Sequence, residues 1–165
     1  MDKDYGHKPV LLEECLQALA IRPDGCYLDG TLGRAGHSLA ILRRLTTGRL
    51  VGIDRDMAAI GAARERLADG VPLDQAVEQL TDGAFTSLAD FQDRVTLVHG
   101  NFRDLGRILR ETGTGPLDGM LFDLGVSSPQ LDEARRGFSY MQDAPLDMRM
   151  DESEALSAAD IVNTW

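Results

Sequence analysis

The chain has 165 residues, the length of one ordinary domain, which excludes a large multidomain protein. Hydrophobic residues make up 43% of it and charged residues 27%, and no apolar run approaches the roughly 20 residues that a membrane span needs. We therefore expect a globular protein without a membrane partner. The formal net charge of -10 argues against binding nucleic acid through charge alone.

The acidic excess lies in the second part of the chain. Residues 1–60 carry 8 basic and 8 acidic side chains, whereas residues 61–165 carry 9 basic and 19 acidic ones. The two cysteines, Cys15 and Cys26, lack metal-ligand spacing, and no secretory leader is recognisable. These features predict a reduced, cytoplasmic protein without a metal site, in which both cysteines are small buried residues rather than reactive thiols.

Strand-like and helix-like segments alternate along the chain. In chain order, the patterns predict a helix over 10–19, a strand over 26–29, a helix over 38–45, a strand over 50–54, a helix over 58–67, a strand over 95–98, a helix over 102–110, a strand over 120–123 and a helix over 155–165. Residues 69–93 are acidic without a basic side chain and predict a surface insertion, in which 73–80 fit a helix. The alternation predicts an α/β fold with a parallel sheet.

A glycine-rich loop follows the first predicted strand. Gly30, Gly33 and Gly36 come after Asp29 and lead into the next helix, an arrangement that lets a ligand approach the backbone closely and aims helix N–H groups at an anionic part of it. The spacing departs from the Gly-x-Gly-x-x-Gly pattern, so a nicotinamide cofactor is not favoured. A tight turn without any ligand remains an alternative for this loop.

The ends of the other predicted strands also carry polar or aromatic residues. Asp54 ends the second strand, where α/β nucleotide sites place a carboxylate that accepts hydrogen bonds from ribose hydroxyls. Phe102, which follows the third strand, offers an aromatic face for an adenine, and Asp123 ends the fourth. Because ligands in this fold class bind beyond the carboxyl ends of the strands, these residues predict one binding crevice.

Longer motifs resemble one family, the bacterial small-subunit ribosomal RNA cytosine-N4 methyltransferases, which use S-adenosylmethionine. The matching segments are 7–12 (HKPVLL), 29–38 (DGTLGRAGHS), 52–56 (GIDRD), 123–132 (DLGVSSPQLD), 136–141 (RGFSYM) and 145–151 (PLDMRMD). They occur in order over most of the chain, and the run from Asp123 to Asp132 is far more specific than a glycine loop.

The resemblance implies a donor site for S-adenosylmethionine. Its residues in this sequence are Ala35, Gly36 and His37 in the loop, Asp54 at the ribose, Phe102 at the adenine, and Asp123 with Gln130 beyond the fourth strand. Ala35 stands where the family usually has glycine. We expect that alanine is tolerated there with a negative φ.

The resemblance also implies the residues on the side of the acceptor base. Asp123, Ser127 and the Ser128 carbonyl are candidates to accept hydrogen bonds from the cytosine amine, and Pro129 completes the motif. The segment 127–129 resembles the Ser/Asp/Asn-Pro-Pro-aromatic loop of amino-directed DNA methyltransferases, although glutamine replaces the aromatic residue that stacks on the flipped base. Phe138 or Tyr140 is a hypothetical substitute for that stacking.

Three arginines near this motif have two interpretations. Arg135, Arg136 and Arg149 could contact RNA phosphates, or they could form a solvated ion-pair surface with neighbouring acids. The acids in question are Asp132, Glu133, Asp147 and Asp151. Sequence alone leaves both interpretations open.

The family fold implies a Rossmann-like sheet of seven strands with a helical domain inserted after the fourth. We therefore expect strand order 3-2-1-4 in a chain that is truncated before the remaining strands, with residues 1–124 as the donor-binding portion and 125–165 as a substrate-side loop and the start of the inserted domain. The implied activity is N4-methylation of a cytidine in the decoding region of 16S ribosomal RNA, with the small ribosomal subunit as partner. We expect this chain alone to bind donor with weak or absent methyl transfer. A non-catalytic scaffold is the alternative, and the oligomeric state, a dimer included, stays open.

Overall fold

The computed structural model describes residues 9–70, 87–88 and 94–164. The chain divides into two compact units, Met1–Asp123 and Leu124–Trp165. The helix predicted over 73–80 lies outside the described residues.

A five-stranded sheet forms the centre of the first unit. The strands are β1 Cys26–Asp29, β2 Arg49–Asp54, β3 Ser87–Leu88, β4 Val95–His99 and β5 Gly119–Leu121. Their order is β3-β4-β2-β1-β5, and β4, β2, β1 and β5 are parallel. The four predicted strands therefore occur in the predicted order 3-2-1-4. The additional strand, β3, pairs antiparallel with β4 and lies in the segment predicted as an insertion.

Six α-helices lie in the described residues: α1 Leu12–Leu19, α2 Gly36–Leu42, α3 Met57–Gly70, α4 Leu105–Glu111, α5 Ser128–Asp132 and α6 Ala158–Thr164. Each predicted helix in this part of the chain is present, with ends shifted by up to three residues. The helix predicted over 102–110 begins as a 3-10 turn, Phe102–Asp104, because the Asn101 side chain accepts a hydrogen bond from Arg103 N. The short α5 was not predicted.

Two hydrophobic clusters cover the two faces of the sheet. Buried residues of α1, α2 and α3, among them Leu16, Leu39 and Ile60, pack in one cluster with alternate strand residues such as Leu50. Leu28, Val51, Ile53 and Val98 form the other cluster with Ile108 of α4. Burial on both faces explains the short continuous apolar runs of these strands. It also leaves their carboxyl ends as the edge at which polar side chains gather.

Among the described residues, no helix is long and apolar enough to cross a membrane.

Candidate functional site at the carboxyl ends of the strands

The buried side chain of Asp29 accepts hydrogen bonds from both ends of the loop between β1 and α2. Its side chain is buried, with Oδ1 accepting from Thr31 N at 3.1 Å and Oδ2 accepting from Ser38 Oγ at 2.7 Å. Burial raises the pKa of the Asp29 carboxyl, and the two hydrogen bonds oppose that shift. The carboxyl group thus joins the start of the loop to the first turn of the helix.

Asp54, at the end of β2, holds the middle of the same loop. Its Oδ2 accepts from Gly33 N at 2.7 Å, and its Oδ1 accepts from Asp56 N at 2.9 Å. Burial raises the pKa of this carboxyl, and the backbone hydrogen bonds lower it. These bonds fix the orientation of the carboxylate against the loop.

The amides of the glycine loop are used mainly within the protein. The N–H groups of Thr31 and Gly33 bind Asp29 and Asp54, while Gly30 N donates to Leu121 O at 2.9 Å. Two further amides donate to main-chain oxygens, Leu32 N to Ile53 O and Ala35 N to Leu32 O. Most of the loop amides therefore hold the loop itself, and the expectation that the N–H groups at the start of α2 face an anionic ligand stays a prediction.

The backbone conformation of Ala35 differs from the expectation. Its φ is 57° and its ψ is 33°, in the left-handed region, so the expectation of a negative φ was wrong. The reversal of the chain at the start of α2 requires this conformation, which disfavours a residue with a Cβ atom and suits glycine. The alanine is nevertheless fully buried.

Gly36 and His37 face the segment that precedes α1. A Cβ atom on Gly36 would lie 2.5 Å from Pro9 Cγ, so glycine permits this close approach. The His37 ring is buried, with Nε2 3.0 Å from Val10 O. Both residues thus have structural contacts, and their role in donor binding stays a prediction.

Two aromatic rings meet at the ends of β4 and β5. Phe102 and Phe122 pack edge to face, with centroids 5.4 Å apart at 69°, and each is 38% exposed. Phe122 also covers Gly30, where an added Cβ would lie 2.1 Å from the ring. No motif in the sequence pointed to a role for Phe122. Strand register could have located it, because β1 and β5 pair Asp29 with Leu121 and the next residues are Gly30 and Phe122.

Asp123 follows β5 with an exposed side chain. Its backbone N–H donates to Thr31 Oγ1 at 2.7 Å, which connects the predicted catalytic residue to the glycine loop. Thr31 is a second residue to which sequence reasoning gave no role. Its position two residues after Asp29, typical of an Asx turn, was the available signal.

The remaining predicted site residues lie together in the second unit, at the start of α5. Ser127 and Gln130 form a capping box in which Gln130 Oε1 accepts from Ser127 N at 2.9 Å. Ser128 and Pro129 form the first turn, where the missing N–H of proline costs nothing. Gln130 is buried, so its side chain has a structural role whether or not it contacts the donor.

The arginines of the second unit are engaged with protein groups. Arg135 contacts Glu133 at 2.8 Å and Glu152 at 2.6 Å, and Arg149 contacts Asp147 at 2.7 Å. Hydrogen bonds from Arg149 lower the pKa of Asp147 to about 2. These distances favour the ion-pair interpretation for both arginines.

The residues that follow Arg136 in the chain line a surface concavity within the second unit. Arg136 is buried and donates from Nη2 to Arg149 O and Met150 O, at 3.0 and 3.1 Å. The concavity encloses about 550 Å³ along residues 137–148, with Phe138 in its lining and Tyr140 96% exposed. Tyr140 is therefore accessible, and stacking of either ring on a base stays a hypothesis.

Comparison with known proteins confirms the resemblance that the motifs indicated. The sequence matches the model of the MraW methylase family over residues 4–74 and 69–165. It is 51% identical over 162 residues to ribosomal RNA small subunit methyltransferase H of Brevibacillus brevis, and 49% identical over 164 residues to the protein of the same name from Heliobacterium mobile. The alignments cover 98% of this chain but 45% and 46% of those relatives. The chain thus spans about half the length of the curated relatives it matches.

A solved structure shows the same fold. The crystal structure of a candidate rRNA-methylase from Clostridium thermocellum aligns with a TM-score of 0.51 at 18% identity, over 73% of this chain and 53% of that one. The similarity supports the Rossmann-like arrangement of the first unit.

Proposed function

The chain belongs to the MraW methylase family, and from that premise we propose that it forms the donor-binding part of an S-adenosylmethionine-dependent methyltransferase. The observation that carries the proposal is Asp54, whose carboxylate ends β2 and is fixed against the glycine loop by Gly33 N. A carboxylate at this strand end is suited to accept hydrogen bonds from ribose hydroxyls.

The neighbouring residues fit the chemistry of this donor. The partly exposed ring of Phe102 next to Phe122 offers an aromatic surface for an adenine, and the exposed Asp123 carboxylate suits a ligand with cationic groups. Ala35, Gly36 and His37 would border the donor from the loop, and Gln130 is the donor contact that the family resemblance assigns to the second unit. The bound donor supplies an electrophilic methyl group on its sulfonium, so no covalent nucleophile is needed and positioning supplies most of the rate effect.

We propose that the acceptor is the N4 amine of a cytidine in the decoding region of small-subunit ribosomal RNA. The names of the relatives give ribosomal RNA of the small subunit, and the motif from Asp123 to Gln130 supplies the chemistry. The lone pair of this amine is delocalised into the ring, so acceptors on its N–H groups favour attack. Asp123, the Ser127 hydroxyl and the Ser128 carbonyl would be these acceptors, and Pro129 would fix the turn that presents them.

Calorimetric titration with S-adenosylmethionine tests the donor site directly. We expect a dissociation constant in the micromolar range, which corresponds to a binding free energy of about -8 kcal/mol. Phe102→Ala should weaken binding about tenfold through the loss of aromatic contact. Val162→Ala, which truncates an exposed apolar side chain of α6, is the matched control and should bind as the wild type does. Absence of binding by the wild-type chain would favour the non-catalytic scaffold.

Methyl transfer is a separate measurement. With radiolabelled donor and small ribosomal subunits, we expect the 165-residue chain to incorporate little or no label, since it spans about half the length of its relatives. Transfer at a rate that depends on Asp123 would contradict this expectation and would support the assigned chemistry.

A further inference from the structure

The bond between Asp123 N and Thr31 Oγ1 lies where the β1–β5 ladder ends. The two strands pair Tyr27 with Gly119 and continue to the pair Asp29 and Leu121. Gly30 N then donates to Leu121 O at 2.9 Å. Beyond this point the main chain leaves the sheet to form the glycine loop.

The Thr31 hydroxyl takes the place of a main-chain acceptor at this point. In a parallel ladder the amide of Asp123 would donate to a carbonyl of the neighbouring strand. Here Thr31 Oγ1 accepts instead, at 2.7 Å, while Thr31 N donates to the buried Asp29 carboxyl at 3.1 Å. One residue therefore connects three points: the buried end of β1, the glycine loop and the end of β5.

We propose that Thr31 is a positioning residue of the donor site, which acts by fixing the backbone of Asp123. A fixed N–H at Asp123 restricts the direction in which its exposed carboxylate extends. Without this hydrogen bond, the backbone that follows β5 would lack support at this point. The inference rests on the proposed function, because Asp123 is a donor contact only there.

A double-mutant cycle on the whole 165-residue chain tests this role. Thr31→Val preserves the side-chain shape and the hydrogen bond from the backbone N–H of residue 31 to Asp29, but it removes the hydroxyl acceptor. It should weaken S-adenosylmethionine binding about three- to tenfold, the effect of one hydrogen bond. Thr31→Ser keeps the hydroxyl and should bind within about twofold of wild type. In the Asp123→Ala background, Thr31→Val should have less than about a twofold further effect, since coupled residues are not additive.

Amide hydrogen exchange gives a reading without the donor. The Asp123 N–H should exchange at least about tenfold faster in Thr31→Val than in the wild type or Thr31→Ser, because its acceptor is lost. Equal donor affinity in Thr31→Val and wild type would overturn the proposal, as would the same loss in both Asp123 backgrounds, which indicates a general effect on the loop. A wild-type chain that binds no donor would instead overturn the proposed donor site itself, and the role of Thr31 with it.

Discussion

Ala35 shows the conflict between a backbone conformation and a side chain at the scale of one residue. A non-glycine residue in the left-handed region costs about 1–2 kcal/mol. Ala35→Gly relieves that cost and so stabilises the folded state. Two contributions oppose this gain: the loss of a buried methyl group, about 0.8 kcal/mol, and the greater conformational entropy of the unfolded chain, about 0.4–1 kcal/mol. We therefore expect the free energy of unfolding, measured with urea, to change by less than about 0.5 kcal/mol.

Ala40 provides the matched control. It lies in α2, where glycine lacks any compensating relief and costs about 1 kcal/mol relative to alanine. Ala40→Gly should therefore lower the free energy of unfolding clearly more than Ala35→Gly. An equal loss at both positions would show that the left-handed conformation of Ala35 carries no strain.

Asp29 should give the stability of the chain a pH dependence. Burial raises the pKa of this carboxyl in the folded state, so its neutral form is favoured on folding. Its contribution to stability is present below its unfolded pKa and is lost as the pH rises through its folded pKa. Wild type should therefore lose stability relative to Asp29→Asn as the pH rises above about 3.9, the unfolded reference.

Asparagine is a suitable replacement because both neighbours can still be satisfied. Its Oδ1 can accept from Thr31 N, and its amide can donate to Ser38 Oγ after the hydroxyl rotates. Urea unfolding of the two proteins from pH 4 to pH 8 provides the measurement. A difference between them that is the same at every pH would contradict a raised pKa for Asp29.

At the scale of the element, α3 contains a glycine that its described neighbours do not require. Gly61 is exposed in the interior of the helix Met57–Gly70, and an added Cβ would meet no atom of residues 9–70, 87–88 and 94–164 within 4 Å. Gly61→Ala should raise the free energy of unfolding by about 1 kcal/mol through helix propensity and lower chain entropy. A decrease on urea unfolding would show that a partner outside the described residues occupies this face.

Gly137, in the second unit, leaves no room for a Cβ atom, in contrast to Gly61. Its φ is 72°, and an added Cβ would lie 2.6 Å from both Asp147 N and Pro145 O, which are main-chain atoms. Gly137→Ala should therefore displace the segment 137–148 and increase amide exchange and protease cleavage there, at a cost of more than about 1–2 kcal/mol. The exposed Gly61→Ala serves as the control for an unhindered substitution. Unchanged protection of this segment would contradict the expected close packing.

Sequence predicted some elements better than others for physical reasons. Strands β1, β2 and β4 were located within one residue because burial on both faces leaves continuous apolar runs. Helix α2 begins at Gly36, two residues before the predicted start at Ser38, because glycine has a low helix propensity and gives no local signal for a helix. Strand β3 has two residues and pairs through main-chain atoms, so hydrophobic periodicity gives no signal for it.

The residues of the candidate site also differ in how well the sequence locates them. Asp54 could be placed from sequence because a strand end is a local feature with a known position in a parallel sheet. Thr31 and Phe122 have only indirect signals in the sequence, because their importance arises from contacts between residues about 90 positions apart. The positive φ of Ala35 had one signal, because the family usually has glycine at this position and glycine suits the left-handed region.

At the scale of the whole molecule, the net charge of -10 predicts a response to salt. Self-repulsion destabilises a compact state, and the Debye length falls from about 30 Å at 10 mM salt to about 10 Å at 100 mM. The ion pairs of Arg135 and Arg149 oppose this trend, but they are surface pairs, whose measured contributions are about 0–1 kcal/mol each.

We therefore expect the urea midpoint of the chain, followed by circular dichroism, to rise with NaCl over this range. Urea is the appropriate denaturant because guanidinium is itself a salt. Arg149→Gln removes one of the opposing pairs, so its midpoint should rise more steeply with salt than that of the wild type. The acidic excess is concentrated in residues 61–165, so the long-range repulsion arises mainly among the acids of this part. A midpoint that falls with salt would mean that local ion pairs outweigh this repulsion.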